Sequence, residues 1–338
     1  MPMQGYRFSR FGSLDHLARH DEPMPTPGRG EALVRVRASS LNYRDLALLS
    51  GQYPMSWRDG LVPLSDGAGE IVALGEGCNR FQPGDRVCNT FFPQWFGGPF
   101  PPAEAARQYG SNQDGWLCEY KVVSEEALVR VPDHLGWAEA ATLPCAALTA
   151  WTALTGPQPV KAGDTVLVQG SGGVSLFALQ LAKAMGARVI ATTSGADKAA
   201  RLKALGADEA IDYLAEPEWG ARARELNGGL GVDLVVEVGG KGTLEQSLAA
   251  VAPGGEIAVI GFLADGAAEL DFMRYFLSGA TLRRIAVGHR EGMEAMLRAI
   301  ARHQLRPVVD RVFPFGDARA AWEHFLARRH FGKVAIVH

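Results

Sequence analysis

The first part of the chain alternates between apolar and polar positions. Residues 32–37 and residues 69–74 follow this pattern, which is typical of strands with one buried face. Glycine and proline residues separate the runs, and Gln82-Pro83-Gly84-Asp85 predicts a turn. The pattern therefore predicts a β-rich region that extends to about residue 125.

The pattern changes at about residue 160, where short apolar runs alternate with helical stretches. The predicted strands cover residues 165–168, 188–191, 210–212, 232–238 and 256–260, and the predicted helices cover residues 174–185 and 198–205. Strands that alternate with helices favour a parallel sheet with helices on both of its faces. This part of the chain is therefore predicted to be a doubly wound α/β domain.

The two patterns predict an insertion of one domain into another. The 338 residues exceed the roughly 250–300 residues at which single cores usually split. After residue 262 the pattern is mixed again, and an apolar run at 332–337 predicts a terminal strand. We predict a β-rich domain formed by residues 1–126 and 265–338, and an α/β domain formed by residues 127–264.

Composition and charge narrow the class of protein. Hydrophobic residues make up 47% of the chain and the net charge is −3, so neither nucleic acid nor anionic lipid is expected as a partner. The longest stretch without a formal charge, residues 140–160, contains several threonines and prolines, and it predicts a buried helix rather than a membrane span. Four widely spaced cysteines predict reduced thiols in a cytoplasmic protein.

A glycine turn is the strongest local signal for a ligand. The run Gly170-Ser171-Gly172-Gly173-Val174 follows a predicted strand and begins a predicted helix. Gly170 can form the tight turn, and Gly172 has no side chain to block a pyrophosphate, which would meet free amides at the positive end of the helix dipole. Ser175 stands where the usual motif has its third glycine. The run predicts a dinucleotide site, although such glycines can also form a simple tight turn.

The residues after the second α/β strand predict which dinucleotide binds. A site for NAD usually has an acid at this tip that bonds the ribose 2′-hydroxyl. The tip here is Thr193-Ser194, and the nearest acid, Asp197, is expected to cap the next helix. Ser194 and Lys198 could donate hydrogen bonds to a 2′-phosphate, so NADPH is favoured over NADH. The alternative is that Lys198 is an ordinary solvated lysine.

Several short motifs, in the same order along nearly the whole chain, resemble those of the medium-chain dehydrogenase/reductase superfamily. The resemblance is closest to its zinc-independent quinone oxidoreductase and alcohol dehydrogenase-like branches. The motifs that carry it are Ser40-Leu41-Asn42, Gly67-Ala68-Gly69, Gln82-Pro83-Gly84-Asp85-Arg86-Val87, the glycine turn, Leu205-Gly206-Ala207-Asp208 and Gly332-Lys333-Val334. The resemblance implies a GroES-like β-rich catalytic domain and a Rossmann domain.

The resemblance also implies a set of cofactor contacts and a mode of assembly. Thr149 would bond the nicotinamide carboxamide, and two loops would flank the ring. The further positions implied as cofactor contacts are Thr193, Tyr213, Val238, Gly239, Gly261, Phe262 and Lys333. Residues 281–287 resemble the edge strand through which the family dimerises, which implies a homodimer.

The positions that bind zinc in other members of the superfamily are changed here. Asn42 stands in place of a cysteine, and Ser65-Asp66 stands in place of a His-Glu pair. The residues agree independently, because no histidine lies between His20 and His134, and residues 89–117 contain no cysteine. Asp45 and Asp66 remain as oxygen donors but are more often hydrogen-bonding residues. We predict that no zinc is bound.

Hydride transfer without a metal requires a neutral group to polarise the substrate. Asn42 and Tyr43, followed by Tyr53, are the candidate donors to a substrate oxygen, although each tyrosine has a packing role as its alternative. Quinone reductases of the family often have a tyrosine where this chain has Ala47, so that donor is not available. The aromatic segment at residues 91–100 is either a wall of the substrate pocket or a loop that buries its own rings.

The leading hypothesis is a zinc-independent, NADPH-dependent oxidoreductase that transfers a hydride to a quinone, an enone or another carbonyl compound of apolar character. Conjugated acceptors are favoured because they need less polarisation than simple carbonyls. A zinc-free alcohol dehydrogenase is the alternative within enzymes. A dinucleotide-binding structural or sensor protein with little catalysis is the alternative from another class.

Overall fold

A computed structural model describes residues 2–54, 56–261 and 269–338. The chain divides into two compact units, one comprising Met1–Leu148 and Gly288–His338 and the other comprising Thr149–Val287. These limits differ from the predicted 126 and 265. Residues 127–148 join the first unit because Leu128–Arg130 pairs in its sheet and Trp137–Ala140 packs against its strands.

The described residues form fifteen strands. In chain order, they are Met3–Phe8 (β1), Leu17–Glu22 (β2), Glu31–Ser40 (β3), Asp66–Leu74 (β4), Arg86–Asn89 (β5), Tyr120–Ser124 (β6), Leu128–Arg130 (β7), Thr165–Gln169 (β8), Arg188–Thr193 (β9), Glu209–Asp212 (β10), Val232–Glu237 (β11), Val251–Val259 (β12), Thr281–Arg284 (β13), Val309–Pro314 (β14) and Lys333–Val337 (β15).

The α-helices are Tyr43–Leu49 (α1), Trp137–Ala140 (α2), Leu148–Leu154 (α3), Gly173–Ala184 (α4), Ala196–Ala204 (α5), Trp219–Leu226 (α6), Leu244–Ala250 (α7), Phe272–Ser278 (α8), Arg290–His303 (α9) and Ala318–Leu326 (α10). A π-helical turn, Leu143–Ala147, precedes α3. Short 3-10 turns lie at Leu14–His16, Pro102–Ala106, Glu125–Ala127 and Phe315–Asp317.

The first unit is built on a seven-stranded sheet. The strand order is β14-β15-β3-β4-β5-β7, with β6 also paired to β3, and only the β14–β15 pair is parallel. Apolar side chains on one face pack into a core around Phe8, Trp116 and Trp322, all buried. The antiparallel register places Ser40 opposite Asp66, so the end of β3 and the start of β4 meet at one edge of the sheet.

The second unit is built on a parallel sheet with the strand order β10-β9-β8-β11-β12-β13. The buried strands are rich in valine and isoleucine, as expected for a sheet that is covered on both faces. From β8 the next strands are added on one side, as β9 and β10, whereas from β11 they are added on the other side, as β12 and β13. The carboxyl ends of the strands at such a reversal of strand order form the usual ligand crevice. The predicted fold class is therefore confirmed.

Two expectations from composition can be compared with the structure. The uncharged stretch at residues 140–160 contains buried helical turns, Leu143–Ala147 and Leu148–Leu154. Among the described residues, no helix has the length and apolar character needed to cross a membrane. The four cysteines are free thiols.

Candidate functional site

The glycine turn lies at the carboxyl end of β8 and leaves its surface open. Gly170 has a φ of +71°, which favours glycine, and Gly172 is the N-cap of α4. A Cβ atom at either position would meet nothing within 4 Å. The first backbone bond of the helix runs from Leu176 N to Gly172 O, so the amides before Leu176 have no partner within the helix. The open turn and these amides fit a pyrophosphate.

Ser175 has a structural reason to replace the third glycine of the motif. Its side chain is 1% exposed, and its hydroxyl donates a hydrogen bond of 2.6 Å to the backbone carbonyl of Gln169, the last residue of β8. This bond joins the strand to the first turn of α4. The serine therefore stabilises the turn and does not occupy the open space above it.

The tip of β9 brings together the residues predicted to select NADPH. Thr193 is buried, and its hydroxyl has no hydrogen-bond partner among the described residues, which is unusual unless a ligand supplies one. Ser194 follows it, and Lys198 lies half-exposed in α5. Tyr213, on the adjacent strand end, is 39% exposed and donates its backbone N–H to Thr193 O.

The sequence did not indicate the acid that lies beside this tip. Asp212 pairs with Thr193 across β10 and β9, and its carboxylate accepts backbone bonds from Gly195 N at 3.1 Å and Leu214 N at 3.0 Å. The carboxylate therefore holds the backbone of the tip in place. A strand ending in aspartate was the available signal, but which strand lies next to β9 cannot be read from the local sequence.

The remaining predicted cofactor contacts of this unit lie in the loop after β11, in the loop after β12 and in α3. Val238 and Gly239 are buried in the first of these loops, and a Cβ on Gly261 would lie 2.4 Å from the Val238 carbonyl oxygen. Only glycine allows this close approach of the two loops. Phe262 lies outside the described residues. Thr149 is buried in α3 of the same unit, at 3% exposure.

A buried polar cluster in the first unit contains Asn42, which is the N-cap of α1. Its amide Nδ2 donates to Asp66 Oδ2 at 2.8 Å and to Ser65 Oγ at 3.4 Å. Its amide oxygen accepts from Lys333 Nζ at 2.6 Å. Both ends of the Asn42 amide are therefore occupied by protein partners, and donation to a substrate oxygen would require one of these bonds to break.

Asp66 is fully buried at the centre of the cluster. Its oxygens also accept hydrogen bonds from Ser65 Oγ at 2.8 Å, Ser40 Oγ at 3.3 Å and Cys145 N at 3.4 Å. The Lys333 ammonium lies 3.9 Å away and compensates the carboxylate charge.

Lys333 was predicted as a cofactor contact, but its ammonium is engaged inside this cluster. It is 3% exposed and donates to Leu41 O and Asn42 Oδ1. Burial lowers the pKa of Lys333, while the Asp66 carboxylate opposes that shift. The motif Gly332-Lys333-Val334 singled out this residue, but the motif alone could not show that its ammonium lies against Leu41 and Asn42.

The donor set of this cluster does not fit a catalytic zinc ion. Such a site needs three protein ligands, usually imidazole or thiolate with an occasional carboxylate. Asp66 supplies one carboxylate, but Asn42, Ser65 and Lys333 supply an amide, a hydroxyl and an ammonium, of which the ammonium would repel a cation. Across residues 2–54, 56–261 and 269–338, no group of three or more histidine, cysteine or acidic side chains could hold a metal.

The two candidate tyrosines lie in different surroundings. Tyr43 packs against the edge of the first unit's core, with the Arg328 guanidinium 5.7 Å from its ring centre. The hydroxyl of Tyr53 accepts a bond from Arg44 Nε at 3.2 Å and donates to Gln108 Oε1 at 2.6 Å. Arg44 is buried, and its guanidinium lies 5.0 Å from the centre of the Tyr53 ring.

The aromatic segment at residues 91–100 mostly buries its own rings. Phe92 contacts Phe91, Trp95 and Phe100 with ring centroids 4.8, 5.8 and 5.1 Å apart. Trp95 also donates its indole N–H to Gly98 O at 3.0 Å. These contacts favour a folded loop over a pocket wall.

Asp45 provides a pH-dependent test of the buried cluster. Its Oδ2 accepts from Asn42 N at 2.7 Å, and its Oδ1 has no partner among the described residues. Burial raises the pKa of Asp45 from 3.8 to about 6, with the Asp66 charge adding to the shift and the Arg44 and Lys333 charges opposing it. The folded protein therefore keeps a proton that the unfolded chain releases, and stability falls as the pH rises through this window.

Asp45→Asn keeps an acceptor for Asn42 N and cannot ionise. Above pH ~6 the variant is expected to be more stable than the parent by up to about 3 kcal/mol, and near pH ~4 the gain should disappear. Urea unfolding of both proteins across this range measures the difference. A difference in unfolding free energy that does not vary with pH would contradict the assignment.

Comparison with known proteins agrees with the fold. Residues 28–133 match the family model of the alcohol dehydrogenase GroES-like domain, and residues 173–302 match the family model of the zinc-binding dehydrogenases. A zinc-type alcohol dehydrogenase-like protein of Schizosaccharomyces pombe is 41% identical and covers 91% of this chain and 90% of its own length. A quinone oxidoreductase of Pseudomonas aeruginosa is 31% identical and covers 98% of each chain.

Two solved structures show the same fold. A structure described as an NAD-dependent alcohol dehydrogenase aligns with a TM-score of 0.89 at 34% identity, covering 99% of this chain and 100% of the other. A mycobacterial protein complexed with NADPH aligns with a TM-score of 0.82 at 31% identity, with the same coverage. With two matched family models and relatives similar over nearly its whole length, this chain belongs to the medium-chain dehydrogenase/reductase superfamily and is an oxidoreductase.

Proposed function

We propose that the protein is a zinc-independent, NADPH-dependent reductase of quinones, enones or other activated carbonyl compounds. The open glycine turn at the start of α4 carries the proposal, because it leaves amides and space for a dinucleotide pyrophosphate. A bound nicotinamide supplies a hydride, and the chain has to bind it, orient it and provide a proton for the reduced substrate.

The 2′-phosphate of the cofactor would lie at the tip of β9. Thr193 and Ser194 offer hydroxyl groups there, and Lys198 offers a positive charge on the first turns of α5. Asp212 lies beside this tip, but its carboxylate already accepts hydrogen bonds from two backbone amides, those of Gly195 and Leu214. Thr149, Val238, Gly239 and Gly261 are the proposed contacts for the nicotinamide half, as the family resemblance implies.

Tyr53 is the donor we favour among the three candidates, and its hydroxyl would have to leave one hydrogen bond, to Gln108 Oε1 at 2.6 Å, to donate to a substrate. Its hydroxyl lies in a half-buried side chain, and Arg44 donates a hydrogen bond to the same oxygen. The guanidinium would stabilise the negative charge left on the phenol oxygen after it gives up a proton. Asn42 is the weaker candidate because its amide is engaged with Asp66 and Lys333. Acceptors whose conjugation stabilises the product anion therefore fit best.

Calorimetric titration with NADPH and NADH, followed by a panel of quinones, enones, aldehydes and alcohols, tests the function. The proposal predicts tighter binding of NADPH and turnover of the conjugated acceptors. Turnover of alcohols alone would favour a zinc-free alcohol dehydrogenase. Several of the similar proteins are named alcohol dehydrogenases. Binding without turnover of any compound would exclude an enzyme of this class.

Lys198→Ala should weaken NADPH selectively. A hydrogen bond to a charged group contributes about 1.5–3 kcal/mol, so the dissociation constant for NADPH should rise roughly tenfold to a hundredfold while that for NADH stays unchanged. Lys203→Ala is the matched control, because Lys203 lies on the same helix but pairs with Glu209 at 3.5 Å. Equal losses for both cofactors would contradict the role given to Lys198.

We also propose that the protein is a homodimer. The β13 strand lies at the edge of the second unit's sheet and has a neighbour on one side only among the described strands. The adjacent α8 has four exposed apolar side chains, and a patch of this kind often marks a protein–protein interface. They are Phe272, Met273, Phe276 and Leu277. Analytical ultracentrifugation can measure the mass of the assembly.

A further inference from the structure

We propose that Glu237 and Gln169 form a buried pair that fixes the loop at residues 238–240 and thereby positions the nicotinamide half of the cofactor. The inference rests on the proposed function, since it assumes that this loop lies beside a bound dinucleotide. Neither side chain is expected to touch the reacting atoms, so both are positioning residues.

The pair takes up every backbone N–H of the loop. Gln169 Oε1 accepts from Val238 N at 3.1 Å and Gly239 N at 3.3 Å. Glu237 Oε1 accepts from Gly239 N at 2.8 Å and Gly240 N at 2.9 Å. Because its three backbone N–H groups already donate hydrogen bonds within the protein, the loop can offer a ligand only carbonyl oxygens. Such a loop suits a donor, such as a carboxamide NH₂, whereas the open turn at the start of α4 suits a phosphate.

The charge of Glu237 is compensated by neutral donors. The side chain is 0% exposed, and within the described part of the chain it has no ion pair. Besides the two loop amides, it accepts from Thr243 Oγ1 at 2.6 Å, from Gln169 Nε2 at 2.7 Å and from Ser247 Oγ. A buried carboxylate without an ion pair needs several hydrogen-bond donors. The Gln169 amide, the two hydroxyl groups and the loop amides supply them to Glu237.

Gln169 also joins the loop to the glycine turn. It immediately precedes Gly170, and its backbone carbonyl accepts the Ser175 hydroxyl at 2.6 Å. Its side chain meanwhile holds the loop after β11. One residue therefore sets both the segment that would receive the pyrophosphate and the segment that would receive the nicotinamide.

The test uses the full-length protein and an exchange of the two side chains. Glu237→Gln places an amide NH₂ against the NH₂ of Gln169, and Gln169→Glu places two carboxylates side by side. Each single variant should lose hydrogen-exchange protection at residues 238–240 in the absence of cofactor and bind NADPH about tenfold more weakly. The double variant Gln169→Glu/Glu237→Gln restores a carboxylate facing an amide, so protection and affinity should recover.

Asp233→Asn is the control, because Asp233 lies at the opposite end of β11 and accepts Thr165 N at 2.7 Å. It should leave the exchange of the loop and the affinity unchanged. Loop protection that persists in both single variants, or a double variant no better than the singles, would overturn the inference while the parent still binds NADPH. A parent that binds no dinucleotide would overturn the proposed function and this inference with it.

Discussion

Gly172→Val is expected to reduce dinucleotide affinity by at least about 100-fold while the protein stays folded. The added side chain would project into the open space above the turn, where a Cβ now meets nothing within 4 Å. A pyrophosphate excluded from the turn would lose two or more charged hydrogen bonds, each contributing about 1.5–3 kcal/mol. The backbone at Gly172 is extended, with φ −79° and ψ 173°, so valine fits there with an N-cap cost of about 1 kcal/mol. Calorimetric titration and thermal unfolding measure the two effects.

Gly316→Val is the matched control for this substitution. Gly316 also has open space around its missing Cβ and no positive φ, but it lies in the first unit, far along the chain from the turn. The control should retain the affinity of the parent. Unchanged affinity in Gly172→Val would show that the phosphate does not bind at this turn.

Lys333→Met is expected to destabilise the protein by about 3–5 kcal/mol. The substitution keeps the approximate volume of the side chain but removes the ammonium that lies 3.9 Å from the buried Asp66 carboxylate. It also leaves the Leu41 carbonyl and the Asn42 amide oxygen without their donor. Unfolding in urea at neutral pH measures the loss.

Combining this change with Asp66→Asn separates charge from packing. The double variant no longer contains the Lys333 and Asp66 charges, so a large part of the stability should return, and the coupling free energy should be about 1 kcal/mol or more. A cost below about 1 kcal/mol for Lys333→Met alone would mean that the ammonium does not compensate Asp66. Additive costs in the double variant would lead to the same conclusion.

The fold was predictable because its signals are local. Apolar runs bounded by glycine and proline predicted five of the six described strands of the second unit, as for 165–168 against Thr165–Gln169, although β12 begins at Val251 and not at 256. The sixth strand, β13, was implied only by the family resemblance. Burial on both faces keeps such strands apolar throughout. The division between the units was harder to place, since β7 and α2 join the first unit through pairing and packing that the local pattern does not encode.

The candidate sites also differ in whether their residues are adjacent in the sequence or brought together only by the fold. The glycine turn could be found because strand, turn and helix are contiguous, and its open geometry follows from Gly170 and Gly172 alone. The Lys333–Asn42 bond joins residues 291 positions apart, so only the folded sheet brings them together. Glu237 and Gln169 likewise read as ordinary strand residues until the register of β8 beside β11 is known.

Turnover of NADPH after removal of metal tests the central claim most directly. The purified protein would be treated with a chelator, its residual zinc quantified by mass spectrometry, and its oxidation of NADPH followed with a quinone and an enone. The account predicts full activity with far less than stoichiometric zinc, and no gain when zinc is added back. Activity that is lost on chelation and restored by zinc would contradict it.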